Sequence, residues 1–385
     1  MKRNILVCVI FLLTAGLLSG AGAAEGERTR IIYMTAGDTN MLALGQNVLG
    51  PEFTAQNPNI TVTTIHTGPG NAGSNLIFEK LLAEQRANKP VWDVDVAMVH
   101  EVFLSWAMPE GLLAPYAKEL DTWQYVTSPF ARNTMGLDIE GYAIPMFHSQ
   151  TALAYNPNYV TNPPQSYDEL KQWVRENPGK FGYNGIKGGA SGVSFVFGWL
   201  YNETGKYEQY AVQGPFNPAE IPTWEPAFRE LSEFNRHVTI TGGNVGTLDA
   251  LNRGEIWMGP VWVDMFFTYM AEGKLSQDTR LILPEPGMPG QPMYFVVPKH
   301  AANPEAARKF VEYVTSPAVQ AKAIVERFNW YPGIDGAYLE GYVPQATYDT
   351  IYRDVTPQDL QTKGLAFPLA DYYAAALEAY ERWVQ

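Results

Sequence analysis

LNRGEIWMGPVWVDMFFTYMAE, residues 251–272, is the stretch from which the fold can be read. A helix ends at Gly254, and Ile256 to Met258 form a short apolar strand. Gly259-Pro260 reads as a turn, and a new helix follows with Trp262, Asp264, Met265 and Phe266 near its start. A buried strand feeding a turn delivers the next residues to the carboxyl edge of a sheet, where open α/β sheets hold their ligands. Trp262 and Asp264 are therefore expected to face a crevice.

Upstream, the pattern repeats. Residues 30–35 (RIIYMT) are a β-run that leads through Gly37 and Asp38 into helical spacing up to Gln56. Residues 60–65 alternate Val and Ile with Thr, then pass through the glycine-rich turn 66–74 into an amphipathic helix carrying Leu76, Phe78, Leu81 and Leu82. Another apolar run spans 94–99. Strands alternating with helices predict an α/β fold with largely parallel pairing. Residues 141–156, GYAIPMFHSQTALAYN, differ: two apolar runs flank MFHSQ, as in a strand that leaves one sheet and enters another. The first crossing between two lobes is placed there, and the second on the Pro/Gly-rich link 285–292, before a strand at 293–297. Ser166 followed by Glu169 predicts a capping box.

The chain has 385 residues, 46% hydrophobic and 17% charged, so a large core is expected and disorder is not. It begins MKRNILVCVIFLLTAGLLSGAGAA. Lys2 and Arg3, the apolar run 5–18 and the small residues Ala21-Gly22-Ala23 form a secretory signal with a cleavage site. The apolar run of about 14 residues is short of the ~20 that span a bilayer. Ala21 stands where lipidation would need cysteine, so a soluble periplasmic protein without a lipid anchor is expected. Cys8, the only cysteine, lies inside the signal; the mature chain has no disulfide, cysteine-ligated metal or cysteine nucleophile. Losing Lys2 and Arg3 takes the net charge from −13 to about −15, which argues against nucleic-acid partners and anionic membrane surfaces.

Several segments, in order, resemble extracellular solute-binding proteins of ABC importers, the group that includes maltodextrin- and glycerol-phosphate-binding receptors. They are Asn57-Pro58-Asn59-Ile60, Gly141 to Pro145 leading to Leu153 to Asn156, and Ser166 to Leu170. Arg253 to Trp262, Ala306 to Tyr313 and Ser316 to Gln320 continue the series. Residues 176–181 (ENPGKF) resemble more narrowly the thiamine-, iron- and phosphonate-type receptors. The resemblance implies a type II periplasmic-binding fold whose two lobes close on a ligand by hinge motion. It implies a signal at 1–23, one lobe from 24–143 plus 287–322, and the other from 144–286 plus 323–385. It also implies a membrane permease as partner, a monomer, no cofactor and no catalysis.

Ligand contacts are expected from both lobes. Gly37, Asp38, Gly70 and Asn71 lie in strand-to-helix turns that bring backbone N–H groups to a ligand. Ser191 lies in a second glycine-rich turn, and Phe147 and His148 lie at the first crossing. Trp262, Trp330 and Tyr331 offer faces for stacking or cation–π attraction, and Asp264 offers a charge. The five histidines show no zinc-binding spacing, and Gly189-Ala190-Ser191-Gly192 is one residue short of a nucleophile elbow. The expected role is capture of a small polar organic solute. Two alternatives stay open: an exported carbohydrate-active hydrolase, which needs paired cleft carboxylates, and a metal-ion receptor. Acidic balance and Asp264 favour a cation or polyol, whereas the glycine-rich turns favour an anion.

Overall fold

The computed structural model describes residues 28–384 except 38, 69 and 213. The signal expected at 1–23 lies outside the described residues, as does Asp38. Nine strands of these residues form one mixed sheet. The strands β1 (Thr29–Ala36), β2 (Ile60–Gly68) and β3 (Val96–His100) pair in parallel, in the order β3-β1-β2. Helix α1 (Gly70–Arg86) connects β2 to β3, and α2 (Glu101–Ala107) follows β3 directly.

The strand β4 (Ala143–Tyr155) has 13 residues, about twice the usual length. Beyond it come β5 (Met258–Trp262), β6 (Arg280–Ile282) and β7 (Met288–Val296). The first half of β4 pairs antiparallel with β7, from Gly290↔Gln150 to Val296↔Ala143. Its second half pairs antiparallel with β5 and β6. The far end of β7 reaches β3. Thus β4 and β7 join two groups of strands, β3-β1-β2 on one side and β5 with β6 on the other. A chain that crosses once and returns must run the opposite way, so the junction is antiparallel while β1, β2 and β3 stay parallel. The sheet is therefore mixed rather than mostly parallel. Two short strands complete it, β8 (Tyr331–Pro332) against β4 and β9 (Gly364–Leu365) against β7.

Each group of strands has its own aromatic packing. Tyr33, Phe53, Phe295 and Phe310 meet edge-on or tilted with centroids 5.3–6.2 Å apart. On the other side, helix α3 (Ala190–Thr204) is buried from Ser191 to Tyr201. A helix buried all round is a core element, which explains the apolar run there. Its Phe195 packs on Phe181, Tyr183 and Phe234 at 5.0–6.0 Å.

Three local expectations change. Gly259-Pro260 is no turn: β5 runs through it to Trp262, and helix α4 (Val263–Ala271) starts at once. Glycine is selected at 259 because a Cβ there would meet the Gly182 carbonyl. The Pro/Gly-rich link is strand from Met288 onward. Proline cannot donate to a ladder, and side chains bind the backbone instead: Thr151 Oγ1 and Ser194 Oγ donate to the Pro289 carbonyl at 2.6 and 2.8 Å. The capping box at Ser166 is half formed. Ser166 Oγ accepts from Glu169 N at 3.2 Å, but the Glu169 carboxylate takes Gln165 N at 2.7 Å.

Overpacking a filled core typically costs about 1–3 kcal/mol. Gly259→Ala is therefore expected to lower stability by about that much, read as a drop in the urea midpoint at unchanged slope. An unchanged midpoint would show that the Gly182 contact has slack.

Candidate ligand-binding site

A cleft of about 540 Å³ opens where β4 and β7 pass between the two groups of strands, within the range of small-molecule sites. Its wall is set by the pleat of β4. Side chains alternate along a strand, so Phe147 and Ser149 line the cleft and His148 does not. From β7, Gln291 and Met293 follow the same alternation. The start of α4 supplies Trp262, Asp264 and Met265, and its next turn adds Thr268 and Tyr269. Gly37 follows β1, Asn40 and Met41 lie on the short helix Thr39–Leu44, and His100 ends β3.

Three rings make one stack. Trp330 lies between Phe147 (4.1 Å between centroids, 12° between planes) and Phe328 (4.5 Å, 14°). Against this apolar wall stands Asp264, which accepts a hydrogen bond from Ser149 Oγ at 2.7 Å. Loss of water around its carboxyl raises the Asp264 pKa above the usual aspartate value; Ser149, Trp330 and nearby backbone N–H groups oppose that rise. Among the described residues, no lysine or arginine lines the cleft.

Of the expected contacts, Gly37, Phe147, Trp262, Asp264 and Trp330 meet on this wall. Asn71 lines an adjoining chamber, and Gly70 is only the first residue of α1. Three expectations are corrected. His148 faces away from the cleft: it stacks on Phe130 at 5.2 Å and hydrogen-bonds Gln150 at 2.9 Å. Burial pushes its pKa down to about 4, so it stays neutral. Tyr331, one residue from the stacked Trp330 in extended chain, points to the opposite side, and its hydroxyl donates to the Ile351 carbonyl. Ser191 is fully buried behind the wall. There Asn244 Oδ1 accepts from Ser191 Oγ (2.8 Å), Ser191 N (3.2 Å) and Asn184 Nδ2 (3.0 Å), which holds Asn244 at the cleft surface.

The glycine-rich turn at 66–74 is explained by packing. A Cβ on Gly73 would strike the Gly68 carbonyl, so glycine lets α1 dock on the end of β2. Ser74 Oγ accepts the His100 backbone N–H at 3.0 Å and lies 3.2 Å from His100 Nδ1. Sequence reasoning missed Ser149, Gln291, Met293, Tyr269 and Phe328. Alternation from Phe147 signals Ser149, and helical spacing from Met265 signals Tyr269. Gln291, Met293 and Phe328 carried no local signal. Among the described residues, no group of three or more His, Cys, Asp or Glu is placed to hold a metal ion. Nor is any helix there long and apolar enough to cross a membrane.

Solved structures share this architecture. One is an extracellular solute-binding protein from Bordetella parapertussis (TM-score 0.70, 16% identity, covering 92% of this chain and 99% of that one). Another is the spermidine/putrescine ABC transporter substrate-binding protein of Streptococcus pneumoniae (0.66, 14%, 93% and 100%). A third is the Atu4243 GABA receptor (0.61, 18%, 92% and 96%). At these identities the likeness establishes a shared two-lobed fold. No curated protein sequence matches the chain. Residues 49–348 match the family model for bacterial extracellular solute-binding proteins. The chain belongs to the bacterial extracellular solute-binding protein family.

Proposed function

We propose that this receptor captures a small organic cation, an amine, and presents it to the permease of an ABC importer. One observation carries the reading: among the described residues that line the cleft, Asp264 brings a carboxylate beside stacked aromatic rings, and none is lysine or arginine. A desolvated carboxylate attracts an ammonium group strongly. Aromatic faces add about 0.5–2 kcal/mol each through cation–π attraction. An anionic solute would meet Asp264 with no compensating charge. The named solutes of two structural relatives, spermidine/putrescine and GABA, all carry ammonium groups.

No bond need be broken in this role. The receptor acts as a monomer in the periplasm, reached through the signal at 1–23 and without a lipid anchor, a reading supported by Ala21 in place of cysteine. The lobes divide near 143 and 287 and again near 322, where β4, β7 and the segment before β8 pass between them.

A thermal-shift screen with alkylamines, sugars and phosphorylated compounds tests the class. A ligand at 100 times its Kd stabilises by about 2.7 kcal/mol. Amines are expected to raise Tm; a shift from sugars or phosphates alone would refute the reading.

Truncating one partner of a buried charge pair costs about 2 kcal/mol or more, roughly 30-fold in Kd. Asp264→Asn and Trp262→Ala are both expected to weaken binding of the best amine, Asp264→Asn by at least that factor. Amine affinity also needs ionised Asp264, whose pKa is raised. Affinity should therefore fall on acidification beginning at a higher pH than the ordinary value of 3.8 would give. Isothermal titration at pH 4 to 8 reads both effects, and a flat profile with an unaffected Asp264→Asn would exclude contact with this carboxylate.

A further inference from the structure

Beside the aromatic cleft lies a second chamber of about 280 Å³. Both chambers are lined by His100, Ala190 and Gln291, so they adjoin along a shared wall. The second has a carboxyl group of its own, Glu101, at the start of α2 and only 5% exposed. Glu101 Oε2 accepts a hydrogen bond from Thr134 Oγ1 at 2.9 Å. Among the described residues, no lysine or arginine lines this chamber. An acid in a helix's first turn is common for dipole reasons alone, but such acids are ordinarily solvated. This one is buried beside a void.

We propose that the second chamber is a subsite for a second ammonium group, held by the Glu101 carboxylate, so that the cleft as a whole takes a diamine. The proposal rests on the reading of Asp264 as the site of the first ammonium. The surroundings fit that chemistry. Phe367 and Tyr373 line the chamber, the latter from helix α5 (Ala370–Trp383). Burial raises the pKa values of Tyr201 on α3, Tyr207, Tyr294 on β7 and Tyr373, the last to about 12, and the Glu101 charge adds to each rise. Tyr201 and Tyr294 donate their hydroxyls to the carbonyls of Ala366 and Phe130, and Tyr207 accepts from Ala366 N. Of these rings Tyr373, with Phe367, faces the chamber beside the acid. A carboxylate beside aromatic rings suits an alkylammonium, which offers both charge and methylene surface.

Burial pushes the Glu101 pKa up to about 8, with Thr134 opposing. The carboxyl is thus mostly protonated near pH 7 in the empty receptor. An arriving ammonium favours the ionised form, and the displaced proton leaves for solvent. Diamine uptake therefore releases close to one proton at pH 7, and diamine affinity rises with pH up to about 8. The titratable groups near Glu101 are His100, Asp264 across the shared wall and the four tyrosines; the last five are acids and bring no positive charge.

The experiment is calorimetric titration of the full receptor with α,ω-diaminoalkanes of three to eight carbons and with matched n-alkylamines, in two buffers of different ionisation enthalpy. The wild type should prefer its best diamine over the matched monoamine by at least 30-fold, with about one proton released. Glu101→Gln should bring that ratio close to one and abolish the release. Ala370→Lys, at the exposed rim of the chamber, should lower the ratio in the same way by offering Glu101 a competing ammonium, and it serves if Glu101→Gln does not fold. Monoamine binding with no diamine preference would overturn the second subsite while leaving Asp264 as the cation site. A diamine preference that survives both substitutions would overturn the role of Glu101. Absence of any amine binding would overturn both readings together.

Discussion

The antiparallel pairing of β4 with β7 is the constraint on which the rest of the structure depends. These strands connect the two groups of strands and also form the floor of the cleft. Their register decides which side chains face the solute, because a slip of one residue would exchange Phe147 and Ser149 for His148 and Gln150. The register is secured where the prolines weaken the ladder. Gln150 Nε2 donates to the Met288 carbonyl at 2.8 Å, and two hydroxyls converge on the Pro289 carbonyl. A buried polar network that is satisfied in this way favours one arrangement over its neighbours, since any slip would strand the same groups without partners.

From that floor follows the electrostatic character of the cleft. Aromatic rings and methionines keep water away from Asp264, and the same desolvation that raises its pKa strengthens its attraction for a cation. The Ser149 hydroxyl limits the rise and orients the carboxylate. Glu101 lacks such strong compensation, so its pKa climbs to about 8. Burial raises both acids, and the donors that reach each of them oppose the rise.

The glycines give a useful contrast between local and tertiary causes. Gly259, Gly73 and Gly192 all look like turn residues in the sequence. At each, however, a Cβ would strike a backbone carbonyl from another segment: Gly182, Gly68 and Gly185 respectively. Close approach, rather than freedom of φ, is what these positions require. Ser191, next to Gly192, is likewise part of the scaffold, and its hydroxyl holds Asn244 instead of a solute.

What the sequence determined by itself was whatever depends on neighbouring residues along the chain. The βαβ alternation, the long crossing segment at 141–156 and the placement of Trp262 and Asp264 at a strand-to-helix junction are all periodic or compositional signals. Alternation even contained the separation of Phe147 from His148 and of Trp330 from Tyr331, though it did not say which member of each pair faced the solute. Only the tertiary structure decided that, because the inward face of a strand is defined by what packs on the other. The Phe147–Trp330–Phe328 stack, the entry of Gln291 into the wall and the meeting of Glu101 with Phe367 and Tyr373 join segments far apart in the chain. Desolvation is a property of the assembled surroundings, and no local pattern records it.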